Sequence, residues 1–182
     1  NQLGWEHGPF DIPENIKSEW DAKEAGSNLN SEWDALMDEY SKMHPELFNE
    51  LERLINNKLP NDFENLYEEF LGGLVAGDQK DMATRKASEV CLNFFCEQLP
   101  ELVGGSADLT GSNNTYSSAS SEMLPDNPQG NHIFYGVREF GMTAMMNGML
   151  LHGGIKPYGG TFLVFMDYAR NAVRLAALME IP

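Results

Sequence analysis

The second part of the chain repeats one pattern, in which a short apolar segment ends in glycine. Leu102-Val103 is followed by Gly104-Gly105-Ser106, and Ile133-Phe134-Tyr135 is followed by Gly136 and then by a helical stretch from Glu139 to Leu151. Short strands that alternate with helices through glycine turns are typical of α/β proteins with a parallel sheet. We therefore predict an α/β fold for residues 79–182.

The remaining segments of this part follow the same logic. A helix is predicted from Asp81 or Thr84 to Gln98, and a turn at Gly159-Gly160 precedes a helix from Thr161 or Phe162 to Met179. Residues 106–130 are rich in Ser, Asn, Gly and Pro, so no regular element is expected there. Because the last helix is followed directly by Ile181-Pro182, we expect the sheet to be incomplete within this chain.

Residues 1–78 have a different character. They hold 18 acidic and 5 basic side chains, a net charge of −13 out of −16 for the whole chain. Four helices are predicted here, and their boundaries are Pro13 to Glu24 (ending at Gly26), Asn30 or Ser31 to Met43, Pro45 to about Leu59, and Phe63 to Leu71 (ending at Gly72-Gly73). None has a wide apolar face, so we predict an acidic helical inter-domain linker, with the boundary between residues 78 and 79.

Composition excludes several classes of partner. A net charge of −16 argues against nucleic acid and anionic membranes, which both require clusters of Lys and Arg. No apolar run has the length of a bilayer span. Cys91 and Cys96 are predicted to be reduced thiols on one helix, which fits a cytoplasmic protein. The four histidines lack metal-ligand spacing, so no metal site is predicted in this chain.

Two features could form a site at the ends of the predicted strands. The segment from Gly104 to Ser112 has small residues that would let a ligand approach the backbone, although composition alone favours a plain surface turn. Glu139 begins a helix beside the apolar residues Phe134, Tyr135 and Phe140, so it could exchange protons in a secluded site. A carboxylate that only stabilises the helix N-terminus is the more frequent arrangement.

Two further features have equally ordinary explanations. Phe162, Phe165 and Tyr168 are three residues apart, which would place them on one helical face, either as core or as a stacking surface for a flat heteroaromatic ligand. Arg85 lies in the first turn of a helix and is either a solvated cation or a phosphate ligand. The residues alone therefore indicate an acidic α/β protein with a possible anionic or aromatic ligand.

Three motifs in order resemble one enzyme family. The segments Pro100-Glu101-Leu102-Val103-Gly104-Gly105-Ser106-Ala107-Asp108-Leu109-Thr110, Phe134-Tyr135-Gly136-Val137-Arg138-Glu139-Phe140-Gly141-Met142 and Pro157-Tyr158-Gly159-Gly160-Thr161-Phe162-Leu163-Val164-Phe165 are similar to those of transketolases. Leu3-Gly4-Trp5 and Trp20-Asp21 resemble the end of that family's diphosphate-binding domain and its linker. The resemblance implies that residues 79–182 are the N-terminal part of a three-layer, parallel-sheet pyrimidine-binding domain.

The resemblance also implies roles for individual residues. Glu139 would be catalytic and hydrogen-bond the aminopyrimidine ring of thiamine diphosphate. The other cofactor-binding residues would be Asp108, Leu109, Phe162, Phe165 and Tyr168. Arg85 and Ser112 would bind the phosphate of sugar substrates. A divalent metal, Mg or Ca, would be held by a domain outside this chain, and the full-length protein would be a homodimer of the pentose phosphate pathway.

The implied activity is the transfer of a two-carbon ketol unit between phosphorylated ketose and aldose sugars, and this chain alone is expected to be inactive. The form Val-Arg-Glu-Phe-Gly around Glu139 is closer to transketolases than to other thiamine-diphosphate enzymes. A dihydroxyacetone synthase-like relative and a non-catalytic binding subunit remain the alternatives.

Overall fold

The computed structural model describes residues 2–77 and 81–182. The described helices are α1 (Glu14–Trp20), α2 (Lys23–Met43), α3 (Pro45–Ile55), α4 (Phe63–Ala76), α5 (Thr84–Gln98), α6 (Thr110–Asn113), α7 (Glu139–His152) and α8 (Met166–Leu178), with a 3-10 turn at Leu163–Phe165 before α8. The strands are β1 (Leu102–Ser106), β2 (His132–Phe134) and β3 (Lys156–Gly160).

The chain divides into two compact units, one ending at Asn49 and the other running from Glu50 to Pro182. This division falls inside α3, whereas the domain boundary predicted between residues 78 and 79 lies outside the described residues. No residue of α1, α2, α3 or α4 is buried, as expected from their narrow apolar faces.

The three described strands form a parallel sheet in the order β2-β1-β3. Gly104 of the central strand β1 pairs with His132 on one side and with Tyr158 on the other. A side chain on Gly104 would collide with Tyr158, and one on Gly105 would collide with the Ile133 carbonyl. The two glycines therefore belong to the strand because its neighbours leave no room for a Cβ.

Helices cover both faces of this sheet. A Cβ on Gly159 of β3 would lie 2.7 Å from the Met146 sulfur of α7, so α7 packs directly on that face. Successive side chains of a strand point to opposite faces, and the adjacent Tyr158 lies close to Cys96 of α5. The α5–sheet–α7 arrangement gives the predicted α/β, three-layer architecture. On the α7 side, the buried core contains Ala107, Tyr135 and Met142.

Two helix ends predicted at glycines are wrong. The helix that was expected to end at Gly26 ends at Trp20, because the Asp21 carboxylate accepts the Lys23 N–H at 3.1 Å and starts α2, which runs through Gly26. Helix α4 likewise continues through Gly72-Gly73 to Ala76. Glycine in a helix interior costs only about 1 kcal/mol, which neighbouring helix formers outweigh.

Two predictions near the sheet are also wrong. Residues 156–160 form strand β3 instead of a turn at Gly159-Gly160, because pairing with β1 and packing on α7 favour glycine there. The last helix does not begin at Thr161 or Phe162, since Phe162 has an extended backbone and α8 begins at Met166. In the polar stretch 106–130 a single helical turn, α6, interrupts the irregular structure.

A buried ion pair joins the end of α3 to the start of the sheet. The Arg53 guanidinium donates two hydrogen bonds of 2.9 Å to the Glu101 carboxylate and further bonds to Glu50 and to the Lys58 carbonyl. The Glu101 side chain is only 2% exposed. Burial is the largest single influence and raises the pKa of Glu101, but the hydrogen bonds from Arg53 and the backbone, together with the positive charges of Arg53 and Lys156, outweigh it, so the net pKa is lowered.

Removing Arg53 should destabilise the second unit strongly, because the buried Glu101 charge would lose its partner. Arg53→Leu is expected to lower the free energy of unfolding by about 3–5 kcal/mol. The matched control is Lys86→Leu, which breaks the exposed Lys86–Glu89 pair and should cost less than about 1 kcal/mol.

Since the folded pKa of Glu101 is lowered, its stabilising contribution is present above its unfolded pKa and disappears as the pH falls through the folded pKa. In urea titrations, the stability difference between the parent and Glu101→Gln should therefore shrink below about pH 4.5, and a difference that grows on acidification would contradict this assignment.

Candidate active site

The site lies where the three strands end. In a parallel sheet the carboxyl ends of the strands share one edge, and ligands of α/β proteins bind beyond it. Ser106, the last residue of β1, pairs with Phe134 at the end of β2 and with Gly160 at the end of β3. The segments that follow these residues, made of the connecting loops, α6 and the first turns of α7 and α8, contain all of the predicted site residues except Arg85.

One cleft at this edge has a volume of about 430 Å³. We call it the glutamate cleft, and it is lined by Ala107, Asp108, Leu109, Val137, Glu139, Phe165 and Tyr168. Five of the residues predicted from the sequence thus meet here from three separate segments, namely Asp108, Leu109, Glu139, Phe165 and Tyr168. Ala107 and Val137 were not predicted, because small apolar residues beside a turn give no distinctive signal.

Glu139 is the buried acid of this cleft, with 8% of its surface exposed. It is the first residue of α7, where the unpaired N–H groups of the helix favour a negative charge. Its carbonyl accepts the Thr143 hydroxyl at 3.0 Å. Among the described residues, none donates a hydrogen bond or forms an ion pair to its carboxylate, which is left available to a ligand.

The part of the cleft wall formed by Asp108 and Leu109 is set by an uncommon backbone conformation. Asp108 has a φ of 60°, in the left-handed region that few residues other than glycine and Asn or Asp adopt. The turn lets the chain leave β1 and bring Leu109 into the cleft wall. Asp108 itself is exposed at the rim.

The three aromatic residues are not equivalent. Phe165 and Tyr168 line the glutamate cleft with ring centroids 6.0 Å apart. Phe162 lies before the 3-10 turn and lines the neighbouring cleft, while its ring stacks on Phe165 at 5.8 Å with an interplanar angle of 20°. The shared helical face expected for all three is wrong, although the rings still form one continuous series.

The neighbouring cleft has a volume of about 620 Å³. We call it the arginine cleft, and it is lined by Ala83, Thr84, Arg85, Ser88, Ser112, Asn113, Thr115, Gly160, Thr161, Phe162 and Leu163. Arg85 reaches from α5 across to α6 and donates a hydrogen bond to the Ser112 carbonyl at 3.2 Å. The two predicted phosphate ligands are therefore neighbours although 27 positions separate them in the sequence.

Sequence reasoning missed a group of hydrogen-bonded polar residues, in which Ser106 and Thr115 are buried and Asn113 is half-buried. Ser106, Asn113 and Thr115 are linked by side-chain hydrogen bonds of 3.0 Å. Only one of these hydrogen bonds follows a local sequence pattern. The Ser106 hydroxyl accepts the backbone N–H of Leu109, three residues later, at 3.0 Å, and this spacing resembles a helix-capping pattern that could have been recognised. The partners of Asn113 come from tertiary structure.

His132 lies on β2 with no exposed surface and with its ring beside Tyr116 and Phe134, at 4.7 and 4.9 Å. Burial lowers its pKa, and the negative charge of Glu122 only partly offsets this effect. Within residues 2–77 and 81–182, no group of three or more His, Cys, Asp or Glu side chains could hold a metal ion. The same ranges contain no helix with the length and apolar character of a membrane span.

Comparison with known sequence families agrees with this geometry. Residues 80–182 match the family described as "Transketolase, pyrimidine binding domain", and residues 1–60 match "Transketolase, thiamine diphosphate binding domain". The chain belongs to the transketolase family. Its α/β unit therefore has the fold of the pyrimidine-binding domain of this family.

Individual relatives lead to the same conclusion. Transketolase 1 of Aliivibrio fischeri is 51% identical over 99% of this chain, and transketolase 2 of Vibrio vulnificus is 49% identical over 99%. The chain spans only 27% of the length of each of these relatives.

Solved transketolases share the fold. A Pichia stipitis transketolase in complex with sedoheptulose 7-phosphate superposes with a TM-score of 0.81 at 36% identity, over 96% of this chain and 26% of that one. The Leishmania mexicana transketolase superposes with a TM-score of 0.78 at 33% identity, over 94% of this chain and 25% of that one. These matches favour transketolase over the dihydroxyacetone synthase-like and non-catalytic alternatives.

The backbone at Asp108 allows a test of the cleft wall. Asp108→Asn should leave the free energy of unfolding within about 0.5 kcal/mol, because Asn tolerates a positive φ. Asp108→Val should lower it by about 1–2 kcal/mol, because a β-branched residue is strained in that region. Urea unfolding of the three proteins measures the difference, and equal stability of the Val and Asn variants would show that the turn at residue 108 has a different conformation.

Proposed function

We propose that this chain forms the pyrimidine-binding half of a transketolase active site, in an enzyme that transfers a two-carbon ketol unit between phosphorylated ketose and aldose sugars. The observation that carries the proposal is the placement of buried, unpaired Glu139 in an aromatic cleft next to a second cleft containing Arg85. The enzyme would act in the pentose phosphate pathway of the cytoplasm. It would be a homodimer with no nucleic-acid or membrane partner.

The glutamate cleft fits the aminopyrimidine of thiamine diphosphate. A flat heteroaromatic ring needs an apolar slot with aromatic walls, which Phe165 and Tyr168 provide. It also needs a hydrogen-bonding group for a ring nitrogen, and the available Glu139 carboxylate belongs to a residue that lines the same cleft. Asp108 and Leu109 would hold the cofactor from their part of the cleft wall.

Thiamine diphosphate, when bound, supplies the carbon centre that accepts the two-carbon unit. Glu139 would hold a proton on the aminopyrimidine ring nitrogen, and a buried carboxyl can share such a proton without competition from water. The divalent metal, Mg or Ca, and the diphosphate would be bound by residues outside this chain.

The arginine cleft would hold the substrate phosphate. The guanidinium is exposed at the cleft and bonded to only one described acceptor, the Ser112 carbonyl, so most of its N–H groups are available to a phosphate. The Ser112 side chain would add a neutral hydrogen bond. Because this cleft adjoins the glutamate cleft at Phe162, a phosphorylated sugar could extend from one to the other.

Replacing Glu139 tests the proton-holding role in the full-length enzyme. Glu139→Gln keeps the shape and one hydrogen bond but cannot exchange the proton, so the variant should bind thiamine diphosphate while the cofactor's thiazolium proton exchanges with solvent at least about a hundredfold more slowly. Glu139→Ala should exchange equally slowly and bind the cofactor more weakly. Deuterium exchange followed by NMR, together with the melting temperature, distinguishes this role from helix stabilisation, for which Gln would cost about 0.3–1 kcal/mol and leave exchange normal.

Replacing Arg85 tests the phosphate role. Arg85→Ala should lower kcat/KM for a phosphorylated ketose about tenfold to a hundredfold through KM, since a hydrogen bond to a charged group contributes about 1.5–3 kcal/mol. With an unphosphorylated ketose the loss should stay within about twofold. Ser112→Ala should have a smaller effect of the same kind, equivalent to one neutral hydrogen bond of about 1 kcal/mol, and equal losses with both substrates would remove Arg85 from the phosphate site.

A further inference from the structure

One buried hydroxyl is hydrogen-bonded to residues of both the glutamate cleft and the arginine cleft. Ser106 is 1% exposed, and its Oγ donates a hydrogen bond to the Gly160 carbonyl at 3.0 Å. The same oxygen accepts the Leu109 N–H and the Asn113 Nδ2–H, both at 3.0 Å. A hydroxyl has one proton and two lone pairs, so all of its hydrogen-bonding capacity is used within the protein.

These partners fix the orientation of the Asn113 amide. The Leu109 N–H can only donate and the Gly160 carbonyl can only accept, so the Ser106 proton must point to Gly160 and the third partner must be a donor. The Nδ2 of Asn113 therefore faces Ser106, and its Oδ1 accepts the Thr115 hydroxyl at 3.0 Å. Thr115 is itself buried, and its carbonyl accepts the Tyr158 hydroxyl at 3.1 Å.

The bridge made by Ser106 and Asn113 connects the segments that carry both sets of proposed ligands. Leu109 lines the glutamate cleft, and Asn113 follows Ser112 in the arginine cleft. Gly160 precedes Phe162 by two residues, and its carbonyl also accepts the Ala107 N–H at 3.0 Å. Neither Ser106 nor Asn113 has to touch a ligand for its loss to displace ligands in both clefts.

We propose that Ser106 and Asn113 are positioning residues that couple the cofactor-binding and phosphate-binding segments of the transketolase site. The proposal rests on the function proposed above. The Asn113 amide holds α6, and with it Ser112 and the Arg85 contact, at a fixed distance from the turn that contains Asp108 and Leu109. One substitution at Asn113 therefore affects two binding events that lie in separate clefts.

Packing supports a specific fit at this point. A Cβ on Gly160 would lie 2.5 Å from the Thr115 Cγ2 and 2.9 Å from the Asn113 Nδ2, so these two side chains occupy the space that a side chain at residue 160 would take. Gly160→Ala should therefore displace Asn113 and Thr115 without removing any hydrogen-bonding group. The variant gives an independent perturbation of the same bridge.

The test compares Asn113→Ala with Asn114→Gly in the full-length enzyme. The control Asn114→Gly removes the neighbouring side-chain amide, which donates a hydrogen bond to Glu89 at 3.1 Å. The backbone φ at Asn114 is 55°, a conformation that glycine adopts freely. Asn113→Ala should raise the Kd of thiamine diphosphate about fivefold and, at saturating cofactor, raise KM for a phosphorylated ketose about tenfold, since each effect corresponds to about one lost hydrogen bond. For an unphosphorylated ketose, kcat/KM should stay within about twofold, as should all values for Asn114→Gly.

Combining variants separates this proposal from the function on which it rests. Arg85→Ala alone should change only the preference for phosphorylated over unphosphorylated ketoses. In the Arg85→Ala/Asn113→Ala double variant, kcat/KM for the phosphorylated ketose should fall by less than the product of the two single-variant factors, because Arg85 donates a hydrogen bond to the Ser112 carbonyl. If Arg85→Ala lowers kcat/KM equally for phosphorylated and unphosphorylated ketoses, the substrate assignment fails, and the effect of Asn113→Ala on cofactor affinity still decides the coupling.

Two outcomes would overturn the coupling. One is an equal fall in kcat/KM for the phosphorylated and the unphosphorylated ketose while the Kd of thiamine diphosphate is unchanged. This result would mean that Asn113 affects only the amount of folded enzyme. The other is a change in one cleft alone. Should Asn113→Ala not fold, the isosteric Thr115→Val removes the hydroxyl that donates to the Asn113 Oδ1. It should raise the Kd of thiamine diphosphate and the KM for the phosphorylated ketose by about two- to threefold.

Discussion

The close packing around strand β1 is the constraint on which the rest of the described α/β unit depends. β1 is paired on both sides, and its two glycines lie where neighbouring strands leave no space for a Cβ. Because β2 and β3 run parallel to it, the three strand ends meet at one edge. Glu139, the aromatic residues and the hydroxyls of the site converge there because the strands pair in this way.

The same packing explains why the site is divided into two clefts. Ser106 ends β1 opposite Gly160 of β3, and its hydroxyl ties the following turn back to the sheet. The turn at Asp108 then directs Leu109 to one side, while α6 carries Ser112 to the other. One buried hydroxyl thus lies between an apolar cleft with an unpaired acid and a polar cleft with an arginine.

Much of this could be predicted because the signals are local. Glu139 was expected at a helix start after a short strand, and the helix does begin at that residue. The boundaries that failed were those assigned from glycine alone. At Gly26, Gly72 and Gly159 the expected break did not occur, because neighbouring helix formers or strand pairing determined the conformation.

The sequence by itself determined the fold class, the family and the chemical types present at the site. Alternating periodicity and three ordered motifs are properties of neighbouring residues, so they can be identified without a structure. The tertiary structure alone decided which residues share a cleft: Phe162 was separated from Tyr168, and Arg85 came to lie beside Ser112. It also decided the bond between Ser106 and Asn113 and the ion pair between Arg53 and Glu101, which join residues 7 and 48 positions apart. Such contacts depend on where the packed sheet places each segment, and no periodicity in the sequence encodes that placement.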